Sequence, residues 1–539
     1  MKTKFLSLIL IVVLMTLASF NSSANEIKTI SPDELKDKIA GGWAGKMIGV
    51  TYGAPTEFRA MGCTFEDSIK WTPYKVKESI WQDDIYVQLT FLMTMDRYGV
   101  ETSAKEYQEM FAKAGYQLWH ANMQARKNYF DSIFPPKSGS PEYSMHADDI
   151  DFQIESDYLG FMCPGMPQSA SILANKIGHI MNYGDGVYGG IFVAALYSEA
   201  YFNTDISNII EKALQSIPAK SDYAKIVRDV ILLHKMYPTD WRIAWKELQD
   251  KWDEVDICGA GAPFNIDAKL NGAYIVMGLL YGEGDPVKTM NIATRCGQDS
   301  DCNPSNAMAV LGVIKGFSGL PEDMQKEVRT ASDSIFVNTI YSFNLAVSRT
   351  YKYALDFIAK NGGKITDRKI TVKKQKAVAP KLEISYPNVV YDKTMSVFDN
   401  NGWTFTGNWK PYEVQSWKDK KMEKQSMYAE KAGDQLVLNF SGTGVSIEGN
   451  WYKDGGMADV YVDGKLYRSI DTYYFFANQQ HTTSIWHVLN LKPGNHEIKL
   501  VVKGEKRPES TGTKIYITKA LIYKTAPKKS DAYKFSFEK

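Results

Sequence analysis

The spacing of hydrophobic residues divides this chain into two parts. From about residue 30 to residue 360, apolar side chains recur at the three- and four-residue intervals of amphipathic helices. From about Leu382 onward, apolar and polar residues alternate instead, and turns such as Asp463-Gly464 separate the alternating segments, which span residues 435–440, 444–449, 458–462 and 496–502. The pattern predicts a multidomain α and β protein, an all-α bundle followed by an antiparallel β-sandwich.

The same pattern predicts the domain boundaries. We assign residues 25–360 to the helical domain, the Lys-rich segment 361–384 to a linker or edge strand, residues 385–527 to the sandwich and residues 528–539 to a tail. Residues 1–24 have the features of a signal peptide, because Lys2 and Lys4 precede an apolar run and Ala24 closes a small-residue cleavage site. The run is too short for a membrane span, and no cysteine follows it to carry a lipid. We therefore expect a periplasmic or secreted protein.

Composition narrows the functional classes. The 63 basic and 62 acidic residues nearly balance, and without a basic stripe the chain is not expected to bind nucleic acid. Five cysteines are an odd number, and their spacing does not pair them, so at least one buried free thiol is expected. Tryptophans are concentrated in the C-terminal third, where they could stack on sugar rings or fill a β-core. The candidates for stacking are Trp403, Trp409, Trp451 and Trp486.

Two acidic doublets each stand before an apolar helical segment. Asp83 and Asp84 follow Gln82, whereas Asp299 and Asp301 precede a run that begins near Pro304. Each doublet alone is most simply explained as helix N-capping. Four carboxylates brought together would instead repel one another unless a cation lay between them, and hard oxygen ligands favour Mg²⁺, Mn²⁺ or Ca²⁺ over Zn²⁺.

A glycine-rich helix precedes the first doublet. Glycine occupies positions 41, 45, 49 and 53, which gives the helix one small face that another backbone can approach closely. A turn at Pro55 then leads to Glu57, for which a surface position is the alternative.

Taken in order, these motifs resemble those of the ADP-ribosylglycohydrolase family, the all-helical enzymes related to dinitrogenase-reductase-activating glycohydrolase. The resemblance extends from about residue 34 to about residue 350 and includes segments 153–165 and 183–190. It implies one or two Mg²⁺ ions (Mn²⁺ or Ca²⁺ being possible) and catalytic roles for Glu57, Asp84 and Asp299, with Glu57 orienting or deprotonating the attacking water. The implied metal ligands are Asp83, Asp84, Asp299 and Asp301, with Gln82 and Cys302 nearby. Gln82 and Cys302 replace hydroxyl residues of the family pattern, and Val50 stands where many relatives carry Asp.

Candidate substrate contacts come from three other stretches. Glycines in segment 183–190 allow backbone N–H groups at the start of a helix to face a ligand. Asp185, Gly186 and Tyr188 are therefore candidate substrate contacts. The acidic segment 146–157 either lines the cleft, through residues such as Gln153 and Asp157, or forms a solvated helix face. His179 is either a contact or a structural histidine.

Together, these features predict an exported metal-dependent hydrolase. It would cleave an N- or O-glycosidic bond of an ADP-ribosyl or furanosyl-type substrate, including a glycan glycoside. The alternative is a secreted, non-catalytic glycan-binding protein with a degenerate hydrolase domain. Expected partners are a small-molecule or glycan substrate, with neither nucleic acid nor stable membrane insertion, and the oligomeric state is left open.

Overall fold

A computed structural model describes residues 26–538 of the protein except 255, 260, 400, 417–419 and 477–481. The proposed signal peptide, 1–24, lies outside the described residues. Helices occupy the chain up to Lys360 and strands dominate after it, which confirms the predicted fold class. Among the described residues, no helix combines the length and apolar character needed to cross a bilayer.

The helical domain is built from α1 to α16, and one further short helix, α17, follows the strands. Residues 104–130 form two helices, which are separated at residues 113–119 before His120 adopts a positive φ of 43°. The helices are α1 Pro32–Gly53, α2 Asp83–Tyr98, α3 Ala104–Ala112, α4 His120–Phe130, α5 Asp151–Ile154, α6 Asp157–Phe161, α7 Pro167–Gly178, α8 Asp185–Ala200, α9 Ile206–Ala213, α10 Asp222–Met236, α11 Trp241–Trp252, α12 Ala268–Gly282, α13 Pro286–Arg295, α14 Cys302–Lys315, α15 Glu322–Ala331, α16 Phe343–Lys360 and α17 Lys529–Ala532.

The small face of α1 packs directly on α14. A Cβ added at Gly45 would lie 2.7 Å from the Cα of Ala309, and one at Gly53 would lie 2.5 Å from the Cα of Asp301. Gly312 returns the contact, because a Cβ there would collide with the carbonyl of Gly41. Glycine therefore permits a backbone-to-backbone approach along the whole of α1, and this approach brings the start of α14 beside the end of α1.

The C-terminal part is a sandwich of two antiparallel sheets. One sheet has the order β11-β10-β13-β8-β5 and the other β12-β9-β14-β7-β6, with β4 also pairing with β14. Trp403, Trp451 and Trp486 are buried, whereas Trp409 is partly exposed. The strands are β4 Val389–Ser396, β5 Trp403–Thr406, β6 Lys410–Gln415, β7 Met422–Ala429, β8 Gln435–Gly442, β9 Gly444–Asn450, β10 Met457–Val462, β11 Lys465–Asp471, β12 Thr482–Val488, β13 Gly494–Val502 and β14 Ile515–Thr525.

Both segments that flank the two domains make defined contacts, and segment 361–384 contains the edge strand that was one of its two alternatives. The strands β1 (Ile27–Ile30), β2 (Lys364–Ile365) and β3 (Ile370–Lys373) form a small antiparallel sheet in the order β1-β3-β2, so part of the expected linker pairs with the beginning of the described chain. The expected tail packs on the helical domain, where Lys528 lies 3.0 Å from the carboxylate of Asp222.

Candidate metal centre

Asp83, Asp299, Asp301 and Glu57 line one cavity of about 520 Å³, and Asp84 lies beside it next to Asp301 and Cys302. Glu57 follows the short turn Ala54–Thr56 at the end of α1, and Asp83 begins α2. Asp299 and Asp301 immediately precede α14. The close packing of α1 on α14 thus brings together carboxylates that lie more than 240 positions apart in the chain.

Asp301 belongs to two groups of possible ligands. Its carboxylate lies within 4.8 Å of ligand atoms from Asp84 and Cys302, and also within 4.8 Å of ligand atoms from Glu57 and Asp299. Asp299 and Asp301 are 4% and 3% exposed, and the Oδ1 atom of each has no hydrogen-bond partner among the described residues. Buried carboxylate oxygens without donors are unfavourable, so the arrangement fits a site that receives cations.

The electrostatics of the cavity agree with this interpretation. The charge of Asp301, followed by burial, raises the pKa of Glu57, while burial and the neighbouring acids raise the pKa of Asp301 well above its ordinary value. Burial raises the pKa of Asp299 to about 8 and that of Asp83 to about 6. The shifts reflect burial first for the three aspartates and, in addition, repulsion between carboxylates that resist ionising together. A divalent cation among them would offset that repulsion.

Lys46 is a functional-site residue that sequence reasoning missed. Its ammonium is completely buried, 3.1 Å from a carboxylate oxygen of Asp84 and 3.1 Å from one of Asp157, and it donates to the carbonyl of Ile154 at 2.9 Å. Asp84 also accepts a contact from the thiol of Cys302 at 3.2 Å. Asp84 is therefore held on one side by a cation and on the other by a thiol. The sequence signal that could have identified it is a lysine inside the glycine-rich helix, among residues that are otherwise small or apolar.

The rest of the cavity wall is aromatic and acidic. Trp81 is 67% exposed at its edge, beside the predicted residue Gln82. Asp151 accepts from the backbone N–H of Asn122 at 2.9 Å, and burial raises the pKa of Asp151 to about 7. Asp151 belongs to the acidic segment 146–157, for which a position in the cleft wall was one of the two alternatives. The further aromatic residues that line the cavity are Phe58, Tyr86, Trp119, His120 and Phe264.

The six residues predicted to contact substrate do not line this cavity, because their polar groups are used within the fold. Asp157 pairs with Lys46, and Gln153 accepts from the hydroxyl of Tyr223 at 2.6 Å. Asp185 accepts from the backbone N–H of Tyr223, whereas Gly186 packs against Asn182.

The remaining two predicted contacts hold the linker. The hydroxyl of Tyr188 accepts from the N–H of Glu383 at 2.6 Å, and His179 Nε2 lies 3.0 Å from the carboxylate of Glu383. The segment 381–383 is thereby fixed against the start of α8 and the end of α7.

The fold and the cavity define an all-α domain with an acidic, cation-type site, followed by a β-sandwich. The model of the ADP-ribosylglycohydrolase family matches residues 31–351, more than half of the chain, and the chain therefore belongs to this family. The family is generally metal-dependent, which agrees with the clustered ligand atoms around Asp301.

Solved structures show likeness to each part. An ADP-ribosylglycohydrolase-related protein complex covers 60% of this chain and 99% of its own at 15% identity, with a TM-score of 0.43. A family 36 carbohydrate-binding module in complex with calcium and xylotriose covers 24% of this chain and 99% of its own at 13% identity, with a TM-score of 0.16. The equivalent module of a multidomain xylanase from the hindgut metagenome of Trinervitermes trinervoides covers 25% and 98% at 15% identity, with a TM-score of 0.17. No curated protein matches the chain.

Proposed function

We propose that the protein is an exported hydrolase that cleaves a glycosidic bond at the anomeric carbon of an ADP-ribosyl or furanosyl-type substrate, with Mg²⁺ as its cofactor. The observation that carries this proposal is the position of Asp301, whose carboxylate is shared by two groups of ligand atoms at one cavity. Family membership supports the reaction class.

The residues present suit hard divalent cations. One position would be held by Asp84 and Asp301 beside Cys302, and the second by Asp299 and Asp301 with the carboxylate of Glu57 facing it. Asp83 and Gln82 lie at the cavity wall. Carboxylate oxygens favour Mg²⁺, Mn²⁺ or Ca²⁺, whereas the thiol of Cys302 contributes little to such a site. When bound, the cations supply positive charge that orients sugar hydroxyls and stabilises charge developing in the transition state.

The side chains of the protein provide the remaining chemistry. Glu57 is exposed to the cavity, so its carboxylate can take a proton from a water molecule that approaches the anomeric carbon. Trp81 and Phe58 offer ring faces at the cavity edge on which a sugar or base ring can stack. Lys46 is completely buried beside Asp84, and its ammonium holds that carboxylate in position.

The proposed location follows from the predicted signal at residues 1–24. Export would direct the enzyme towards external glycosides, nucleoside-like compounds or ADP-ribosylated material outside the cytoplasm. The sandwich would then act as an accessory domain that binds glycan near the substrate. Of the four tryptophans named above, Trp409 is partly exposed, so its ring is the one that could stack on a sugar.

The test is sugar release from a panel of ADP-ribosylated peptides and furanosyl glycosides, with Mg²⁺ and with EDTA. We expect turnover on at least one member, and Glu57→Gln should lower kcat by about 10²- to 10⁴-fold, as expected for loss of a general base. Glu66→Gln is the matched control, because Glu66 pairs with Arg242 at the surface, outside the cavity.

The opposite result is equally clear. If the metal-loaded protein releases no sugar from any member of the panel, the hydrolase proposal is wrong. Calorimetry with the same compounds then tests the non-catalytic glycan-binding alternative, which predicts heat of binding without turnover.

A further inference from the structure

A second group of ligand atoms lies beside the cavity and shares no residue with the acidic cluster. It consists of His120, the first residue of α4, His146 and Asp149 from the turn before α5, and Cys258 from the loop between α11 and α12. One ligand atom from each of the four residues lies within 4.8 Å of all the others. The chain thus brings two imidazoles, a carboxylate and a thiol to one point.

The three distances measured from Asp149 can be compared with those of a tetrahedral zinc site. Asp149 Oδ2 lies 2.7 Å from His146 Nδ1, 3.5 Å from Cys258 Sγ and 3.8 Å from His120 Nδ1. Tetrahedral Zn²⁺ with its usual bond lengths separates neighbouring ligand atoms by about 3.3 to 3.5 Å. Two of the three contacts are therefore already close to the required spacing, and the third is a hydrogen bond that a metal would replace.

We propose that His120, His146, Asp149 and Cys258 form a zinc site. Two nitrogen donors, one oxygen and one sulfur are a borderline-soft set that suits Zn²⁺ and does not suit Mg²⁺ or Ca²⁺. The acidic cluster around Asp301 has the opposite preference, so the two sites would select different metals. Four protein ligands leave no open position, which assigns this zinc a structural role.

The loops that carry the ligands are supported from behind. Asp256 accepts from the backbone N–H of Cys258 at 2.9 Å, which fixes the turn that presents the thiol. Tyr523 of β14 donates its hydroxyl to the carbonyl of Ile257 at 2.8 Å, and Tyr386 accepts from the N–H of Ala147 at 3.0 Å. Outer contacts of this kind orient metal ligands, and here two of them come from the part of the chain that follows the helical domain.

The site would also define one wall of the cavity. The ring of His120 lines the cavity and stacks on Phe264, with ring centroids 5.4 Å apart. A zinc ion would join α4, the turn before α5 and the loop around Cys258 at this wall. The inference does not rest on the proposed hydrolase activity, because a structural zinc is retained whether or not the enzyme turns over.

The experiment measures metal in the full-length protein. After incubation with Zn²⁺ and extensive dialysis, mass spectrometry of the metal should find one tightly held zinc per chain. Substituting Co²⁺ should produce the near-ultraviolet charge-transfer band of a cobalt-thiolate bond. Cys258→Ser should abolish the band and weaken zinc binding by more than the roughly 10- to 100-fold typical of losing an outer-shell partner.

Cys302→Ser is the matched control, because Cys302 is the thiol of the acidic cluster and should leave the band and the retained zinc unchanged. If Cys258→Ser does not fold, as judged by circular dichroism, His120→Asn replaces it, since the side chain of His120 is 29% exposed and tolerates change more readily. The proposal is overturned if the folded wild-type protein keeps no zinc, if cobalt gives no thiolate band, or if the band is lost in Cys302→Ser instead.

Discussion

Asp301→Asn should stabilise the metal-free protein and destabilise the metal-loaded one. The substitution keeps the shape of the side chain but removes one of the clustered negative charges. In EDTA that charge faces Asp299 and Glu57 with ligand atoms no more than 4.8 Å away. In Mg²⁺ the same charge is the proposed link between two cations. The sign of the effect therefore depends on the metal.

The structure sets the magnitude in each buffer. Two unit charges 4.8 Å apart repel by about 3.5 kcal/mol at an effective dielectric constant of about 20. Protonation relieves part of this repulsion, because burial raises the pKa of Asp299 to about 8. We therefore expect Asp301→Asn to gain about 1 to 3 kcal/mol in EDTA, or roughly 2 to 6 °C in Tm for a large domain. Wild-type protein at a 1,000-fold excess of Mg²⁺ over Kd should gain about 4.1 kcal/mol that the variant lacks, which is more than the variant gains in EDTA.

The assay is thermal unfolding of both proteins at pH 8 in EDTA and in Mg²⁺, followed by the helical signal. Asp96→Asn is the control, since Asp96 lies at the other end of α2 and accepts from the hydroxyls of Tyr341 and Tyr353. It should lower Tm equally in both buffers. If Asp301→Asn is less stable than wild type in both buffers, or responds equally to Mg²⁺, then Asp301 is a structural residue and the two-cation interpretation is wrong.

Three further substitutions test the surrounding structure. Lys46→Met leaves two buried carboxylates without their cation and should reduce the free energy of unfolding by about 3 to 5 kcal/mol in chemical denaturation. Lys38→Met is the control, because the ammonium of Lys38 donates to two backbone carbonyls. A loss for Lys46→Met no larger than that for Lys38→Met would contradict the prediction. Gly45→Ala places a methyl group 2.7 Å from the Cα of Ala309 and should destabilise the folded protein by about 1 to 3 kcal/mol. It should also weaken Mg²⁺ binding, as measured by calorimetry. An unchanged Mg²⁺ affinity would show that the contact between the helices does not position the acids. Burial lowers the pKa of His487 to about 4, so between pH 6.5 and pH 4 the unfolded chain binds a proton at this residue that the folded chain does not bind. Relative to His487→Gln, the free energy of unfolding of the wild type should therefore fall by about 3 kcal/mol on acidification through that range. A difference between the two proteins that does not vary with pH would refute this prediction.

The part of the site that the sequence predicted is the part that depends on local rules. Glycines spaced by four residues specify a close helix contact, and acids ahead of an apolar run specify a helix start, so Glu57, Asp83 and Asp301 could be proposed together. The change of period near residue 382 likewise separated helices from strands.

Other features depend on contacts between distant segments and carry no local signal. The acidic segment 146–157 was open to interpretation as a solvated helix face, yet Asp157 is buried because Lys46, 111 positions earlier, neutralises it. No spacing rule joins His120 and His146 to Cys258, since three separate loops bring them together. The strand β1 has only four residues, and its partner β3 lies more than 340 positions further along the chain.

The two walls of the cavity owe their positions to different parts of the protein. One wall carries the acids, and the glycine contact between α1 and α14 places it. The other wall includes His120 and Phe264. Phe264 belongs to the same loop as Cys258, and the carbonyl of Ile257 in that loop accepts from the hydroxyl of Tyr523 of the sandwich. A cavity built this way needs both domains for its geometry, even though the acidic groups all come from the helical domain. The sandwich is then part of the structure of the active site as well as a candidate glycan-binding module. Loss of its hydroxyl contact, as in Tyr523→Phe, should loosen the zinc wall while leaving the acidic wall in place, so zinc affinity should fall and Mg²⁺ affinity should not.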